Sequence, residues 1–333
     1  METLRSYFVI SLDFELAWGF HDKDIQKTGY INNVKGARES VLKTLKLFEK
    51  HQIHATWAIV GALFCRSKTE LENLVNKELT YTESGHRLKD YLEEKIGLDE
   101  EDDPLHFAPT LIEKISSSKD QEIGSHTFTH FYVMDETNDP NALEKELIGM
   151  AVVCPEAESM VFPRNQSMRP AVEVLRKRGY TSYRGLQENA LWKYLVPLKK
   201  ENKILSKIRR LIRLSEVYLP LYGVFSYPIE SAIEEGICNF RASAMFKPYF
   251  PKLAFLERLK INNIKRGMKI AAQKGHVYHL WWHPHNTGIN YDLNFKQLDD
   301  ICAYYNELAK KHKMISVSMK ELASILREGA VSD

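Results

Sequence analysis

Short apolar and β-branched runs alternate along the chain with amphipathic stretches of helical period, the rhythm of βαβ units around a parallel sheet or barrel. The strand-like runs cover 7–12, 54–60, 122–124, 160–162, 181–184, 237–242, 276–281 and 314–317. Helical patterns fill 36–51, 141–150, 169–178, 254–273, 294–312 and 320–327. Two stretches break the repeat, 68–109, rich in Glu, Asp and Lys, and 187–235. Both exceed ordinary connections, so they read as insertions, lids or partner surfaces.

Polar residues fall at the ends of these runs. Asp13 and Glu15 follow the first, His126 the third, Arg164 the fourth, and His283 the apolar run that closes on Trp281-Trp282. In a parallel barrel or open α/β sheet the carboxyl ends of the strands share one face, where active sites assemble, so residues some 270 positions apart can meet there. Taken singly, an Asp or Arg at a strand end is more often a helix cap or a surface ion pair. His279, alternating with apolar neighbours inside its strand, reads as a satisfied core histidine.

His126 and His130, in the run Ser125-His126-Thr127-Phe128-Thr129-His130, carry the most chemistry. At that spacing two imidazoles share one face of a helical turn and can reach one divalent metal. Two histidines and a carboxylate leave open positions on such an ion, where a water binds and loses a proton near neutral pH. A second carboxylate can take that proton and a histidine opposite can protonate the leaving group, with Asp13 and His283 as the candidates. Arg164 suits an arginine that keeps the base ionised and oriented.

In order along nearly the whole chain, these residues resemble the polysaccharide deacetylase family, the NodB-homology or carbohydrate esterase family 4 enzymes. The first motif is resembled by Ser11-Leu12-Asp13-Phe14-Glu15 and the second, H-[ST]-x-x-H, by His126-Thr127-Phe128-Thr129-His130. The third is resembled by Phe162-Pro163-Arg164-Asn165-Gln166 and the late histidine motif by Trp281-Trp282-His283-Pro284-His285-Asn286. The resemblance implies an α/β fold, a distorted (β/α)7 TIM-like barrel, as one catalytic domain over 1–333 with two insertions. It implies Asp13 as general base, Arg164 as its tether, His283 as general acid and a divalent metal, zinc by its donor set, on Glu15, His126 and His130. The chain departs from the common pattern in placing Phe14 where a second aspartate usually stands, so that Glu15 resembles the D-x-E variant. The usual R-x-P-Y ending is also missing, which leaves the Asn165 amide as the expected oxyanion donor.

Composition narrows the partners. The 333 residues are 44% apolar, enough for a sizeable core, and 46 basic against 44 acidic residues with no basic tail make nucleic acid a poor fit. Cys65, Cys154, Cys238 and Cys302 form no CxxC pair, which argues against a structural zinc cluster and fits a reducing compartment. With neither a secretory leader pattern nor an apolar run of spanning length, a cytoplasmic location is expected.

Sugar rings stack on aromatic faces, which makes Trp18 and Trp282 substrate contacts beside Asn165 and His285, with Arg241 facing an anionic group. Residues 199–214 pattern as a basic amphipathic helix. Such a helix more commonly packs on its own domain, but it can also lie on anionic lipid at the inner membrane face. The substrate expected is then an acetylated sugar or a lipid-linked glycan intermediate of bacterial surface polysaccharide (O-antigen or capsule) assembly, losing an N- or O-linked acetyl group. Two competitors are a hydrolase of a small non-sugar amide on the same fold and a catalytically silent carbohydrate-binding protein.

Overall fold

A computed structural model describes residues 5–20, 29–78, 91–133, 140–186, 212, 215, 217–219 and 223–331. Its strands are β1 (Tyr7–Phe14), β2 (Ala55–Ile59), β3 (Gln121–Ser125), β4 (Ser159–Met160), β5 (Ser182–Tyr183), β6 (Tyr227–Pro228), β7 (Ile233–Glu234), β8 (Ile237–Asn239), β9 (Ala244–Met245), β10 (His276–Trp282) and β11 (Ile315–Val317). Its principal helices are α1 (Ile31–His51), α2 (Lys68–Glu78), α3 (Pro109–Ser117), α4 (Pro140–Val153), α5 (Arg169–Lys177), α6 (Glu257–Lys274), α7 (Tyr291–His312) and α8 (Met319–Val331).

All eight residues of β1 are buried, so both of its faces need cover. Phe8, Ile10, Leu12 and Phe14 point outward into the main core, which they share with Val34, Val41 and Phe48 of α1 and with Ile264 and Met268 of α6. Tyr7 and Val9 point inward onto Ala58, Val161, Val277 and Val317. The strand interior is thus apolar at its amino end. Toward the carboxyl end the inward positions become Ser11 and Asp13, and that change of polarity is where a site can form.

The sheet is parallel through β10, β1, β2, β3, β4, β5 and β8. β11 pairs with the first three residues of β1, and β2 takes over the same edge from Ile10 onward. The chain leaving β8 on the edge of β5 continues as β9 and pairs in parallel with β10, Ala244 opposite Leu280. Ser243 and Phe246 amides donate to His279 and Trp281 carbonyls at 2.8 Å each, which curls the sheet into the expected barrel of seven strand positions. β6 and β7 are antiparallel additions to β10 and β8.

Helix α1 begins at Ile31, earlier than the expected 36, because Gly36 lies inside it as a point of close packing and not as its start. Part of the insertion 68–109 is α2, and Ser67 bridges Asp99. Of the insertion 187–235, residues 187–211 lie outside the described residues, and with them nearly all of the basic segment 199–214. Among the described residues no helix is long and apolar enough to cross a membrane.

Candidate functional site

Asp13, 3% exposed, is held by Arg184 at the end of β5 through two parallel bonds, Nη1 to Oδ1 at 2.6 Å and Nη2 to Oδ2 at 2.7 Å. The guanidinium also donates to Ser11 Oγ at 3.0 Å and to Asn165 Oδ1 from Nε and Nη2, and its face lies on Trp281, 4.1 Å from the ring centroid. His279 completes the layer. Its Nδ1 lies 3.0 Å from the Phe240 carbonyl, which can only accept, so Nδ1 carries the proton and Nε2 accepts from Ser11 Oγ at 2.8 Å. Burial, with Arg184 nearby, pushes the His279 pKa down to about 3, and the ring is neutral. Burial works against the Asp13 charge, but Arg184 and then His283 hold its carboxyl below the ordinary value.

Phe14 turns outward, so Glu15 returns to the side of Asp13, as the period of a strand requires. Its Oε2 stands 2.8 Å from His130 Nε2 and 3.4 Å from His126 Nε2, while Oε1 stands 3.7 Å from His283 Nε2 and 3.8 Å from His285 Nδ1. The carboxylate is 5% exposed. Burial disfavours its charge, yet His283 and His130 hold it well below the ordinary value. Gly19 leaves the room for it, because a Cβ there would sit 2.2 Å from Oε1.

The two histidines of the second motif do not lie on a helical turn as their spacing suggests. Thr127 and His130 both have φ 61°, and the backbone of 126–130 bonds to its neighbours instead of to itself. Gly61 and Ala62 amides donate to the Thr127 and Phe128 carbonyls, and the Glu146 carboxylate accepts from the Thr129 amide and hydroxyl at 2.8 and 2.7 Å. Phe128 is fully buried and anchors the loop. The outcome is the juxtaposition expected of a helix, reached by another backbone path.

His283 and His285 sit on a turn fastened to α1. Asn33 donates to the His285 carbonyl, Asn286 donates to Tyr30 Oη at 2.9 Å, and Ser40 and Thr287 hydroxyls meet at 2.5 Å. The two imidazoles stack with centroids 4.7 Å apart. Burial, then His283, pushes the His285 pKa down to about 3. The His283 side chain keeps 19% of its surface exposed.

Several residues expected at the site have other places. Arg164 is exposed, with its guanidinium 3.6 Å from the centroid of Tyr132, so the arginine on Asp13 is Arg184 and not Arg164. Arg184 closes the strand-like run 181–184, so the strand-end rule that points to Arg164 applies to it equally. Asn165 bonds Arg184 through its side chain, while its amide donates to the Phe162 carbonyl at 2.8 Å and is already committed. Trp18 is buried, donating to the His106 carbonyl, and Trp282 is buried against Phe48 and Phe246 on the outer face. Trp281, facing inward and partly exposed, is the tryptophan that lines the site. Arg241 lies over Tyr227 and donates to Ser231, beside the start of β10 and away from its carboxyl end.

The ligand atoms of Glu15, His126 and His130 lie within 4.8 Å of one another, and those of Glu15, His283 and His285 do the same. The donor chemistry of the first set suits a divalent ion. His126 Nδ1 lies 2.6 Å from the Val161 carbonyl and so carries the proton, which leaves the buried Nε2 lone pair facing Glu15 with no hydrogen-bond partner among the described residues. Two lone pairs so placed repel unless a cation lies between them.

The chain matches no family model and no curated protein. Its likenesses are to solved structures. A candidate polysaccharide deacetylase from Mycobacterium smegmatis aligns with TM-score 0.59 at 11% identity, covering 98% of this chain and 92% of that one. The α-amylase AmyC from Thermotoga maritima aligns at 0.52 with 11% identity (96% and 74% covered), and PuuE allantoinase at 0.50 with 10% identity (96% and 89% covered). At these identities the likeness is one of fold, and the chain has the (β/α)-barrel fold of the polysaccharide deacetylases.

Proposed function

We propose that the chain is a metal-dependent hydrolase that removes an N- or O-linked acetyl group from a sugar. The observation that carries this reading is the convergence of Glu15, His126 and His130 within 4.8 Å at the polar end of the barrel, with Asp13 and His283 beside them. These three residues would hold the ion, zinc being the one that suits two imidazoles and a carboxylate. Bound there, it supplies Lewis acidity and an acidified water.

The chain's own residues do the proton work. Asp13, kept ionised and fixed by the Arg184 fork, accepts a proton through an oxygen facing the site, and Arg184 thereby fills the tethering role expected of Arg164. His283 Nε2, 3.7 Å from Asp13 Oδ2, gives a proton to the departing sugar nitrogen or oxygen. The Trp281 ring, rigid against Arg184, offers a face for the sugar. The sugar is proposed to be a lipid-linked or free intermediate of surface polysaccharide assembly, and residues 199–214 to bring the protein to anionic lipid at the inner membrane face. Salt-sensitive binding to anionic liposomes checks that contact.

The test of the reaction is acetate release from N- and O-acetylated sugars by protein stripped of metal and then reloaded. Activity should vanish with the metal and return with zinc, and His283→Ala should abolish turnover while still binding metal. Turnover that survives chelation would favour the small-amide reading, and sugar binding without turnover the silent one.

A further inference from the structure

Glu15 has a second oxygen, and it has its own pair of histidines. Oε1 stands 3.7 Å from His283 Nε2 and 3.8 Å from His285 Nδ1, and the three atoms lie within 4.8 Å of one another. Donors at about 2.0–2.1 Å on a tetrahedral zinc stand about 3.3–3.5 Å apart, so each of these two nitrogens needs to approach Oε1 by only a few tenths of an ångström. In the first set one nitrogen stands at that separation from Oε2, 3.4 Å, and the other closer, at 2.8 Å. A carboxylate with each oxygen turned to its own pair of ligands is the arrangement of two-metal sites.

From this geometry we infer that Glu15 bridges two cation positions, the second held by His283 and His285, and that filling the second inhibits the enzyme. The inference rests on the metal-dependent reading above. His283 Nε2 is the atom that must carry the proton to the leaving group. A divalent ion at the second position takes its lone pair and sends that proton to solvent, so the acid is lost while the first ion stays in place.

The two positions fill in order. The first has three buried ligands, whereas the His283 side chain is 19% exposed, and both positions share the single charge of Glu15. Asp13 adds one more negative charge nearby, but Arg184 is already spent against it. A second cation therefore meets repulsion from the first with little left to offset it, and it binds more weakly. The pocket for it is nonetheless built: His285 is 4% exposed, and its ring meets the edges of Phe20 and Tyr30 at centroid distances of 5.2 and 5.5 Å.

Zinc titration of the metal-free full chain, with bound metal counted after dialysis, should give two equivalents at saturation, a tight one followed by a weaker one. Activity should rise over the first step and fall at least tenfold over the second. His285→Ala and the more conservative His285→Asn should bind one equivalent. Crystals of the unmodified protein soaked in excess zinc, which require no variant to fold, should show two anomalous peaks, one on each side of the Glu15 carboxylate. One equivalent at saturation, or a second equivalent that persists in the folded His285 variants, overturns the inference and leaves the metal-dependent reading standing. No bound metal overturns both.

Discussion

Two arginines compete for one role, and their surroundings decide it. Arg184 has no exposed surface and divides its five donors among Asp13, Ser11 and Asn165, whereas Arg164 is exposed on the face of Tyr132. Removing one partner of a buried ion pair leaves an uncompensated charge, so Arg184→Met should cost about 3–5 kcal/mol and most of the activity. Arg184→Lys keeps the charge but loses the fork, and it should recover stability better than turnover. Arg164→Ala should cost about 1 kcal/mol or less, the worth of an exposed cation over a ring. Urea denaturation with acetate-release rates on the three variants checks this; equal losses at 164 and 184 would show that the Arg184 contacts do not govern the site. The sequence reading singles out Arg164 by its neighbouring Pro163 and passes over Arg184 at the end of 181–184, because the choice depends on which neighbouring strand faces β1.

At the scale of elements, alternation along a strand was the most legible feature. It put Asp13 and Glu15 on one side and Phe14 on the other, and the same period put His279 and Trp281 on the inner face of β10, with His283 just beyond its end, while Trp282 went to the core. The loop at 126–130 was legible in its composition but not in its path, since its left-handed residues are fixed by partners at 61, 62 and 146 that no local spacing reveals. The seating of the His283 turn on α1 was equally hidden. There Gly36 and Gly288 meet so closely that a Cβ on Gly36 would stand 1.8 Å from the Gly288 carbonyl oxygen. Gly→Ala inside a helix ordinarily gains about 1 kcal/mol, but here overpacking should reverse the sign, and Gly36→Ala should lose about 1–3 kcal/mol. It should also lower activity by shifting His283 and His285. Thermal unfolding reads the sign directly, and a stabilised, active variant would show that the turn is not seated by this contact.

Over the whole molecule, the alternating pattern left a parallel sheet or a barrel open, and the family resemblance of the ordered motifs implied the barrel; either way parallel strands collect their carboxyl ends on one face whatever their separation in sequence. Ion pairs and hydrogen bonds to carboxylates escape such reading, and they set how stability varies with pH. Glu100 with Arg38 and Thr110, Asp103 with His106, and Glu321 with His54 have carboxyls held below their ordinary values by these partners in spite of burial. Each contributes stability above its unfolded value near 4 that is lost as the pH falls through the lower folded one. His54 has the opposite sign. Its Nδ1 lies 2.9 Å from both oxygens of Glu321, and that hydrogen bond, outweighing partial burial, raises its pKa above 6.5. Its contribution is complete below about 6.5 and disappears as the pH rises through the folded value. Because Glu321 is 42% exposed and shares the pair with solvent, the coupling is worth about 0.5–1 kcal/mol. Glu321→Gln should therefore be less stable than the unmodified protein by about that much at pH 6, and by clearly less at pH 9, as the pH rises past the folded His54 value. Urea midpoints measured at the two pH values decide it. A gap that does not change with pH would assign the loss to the bond between Glu321 and the Ser318 amide at the start of α8, and not to the histidine.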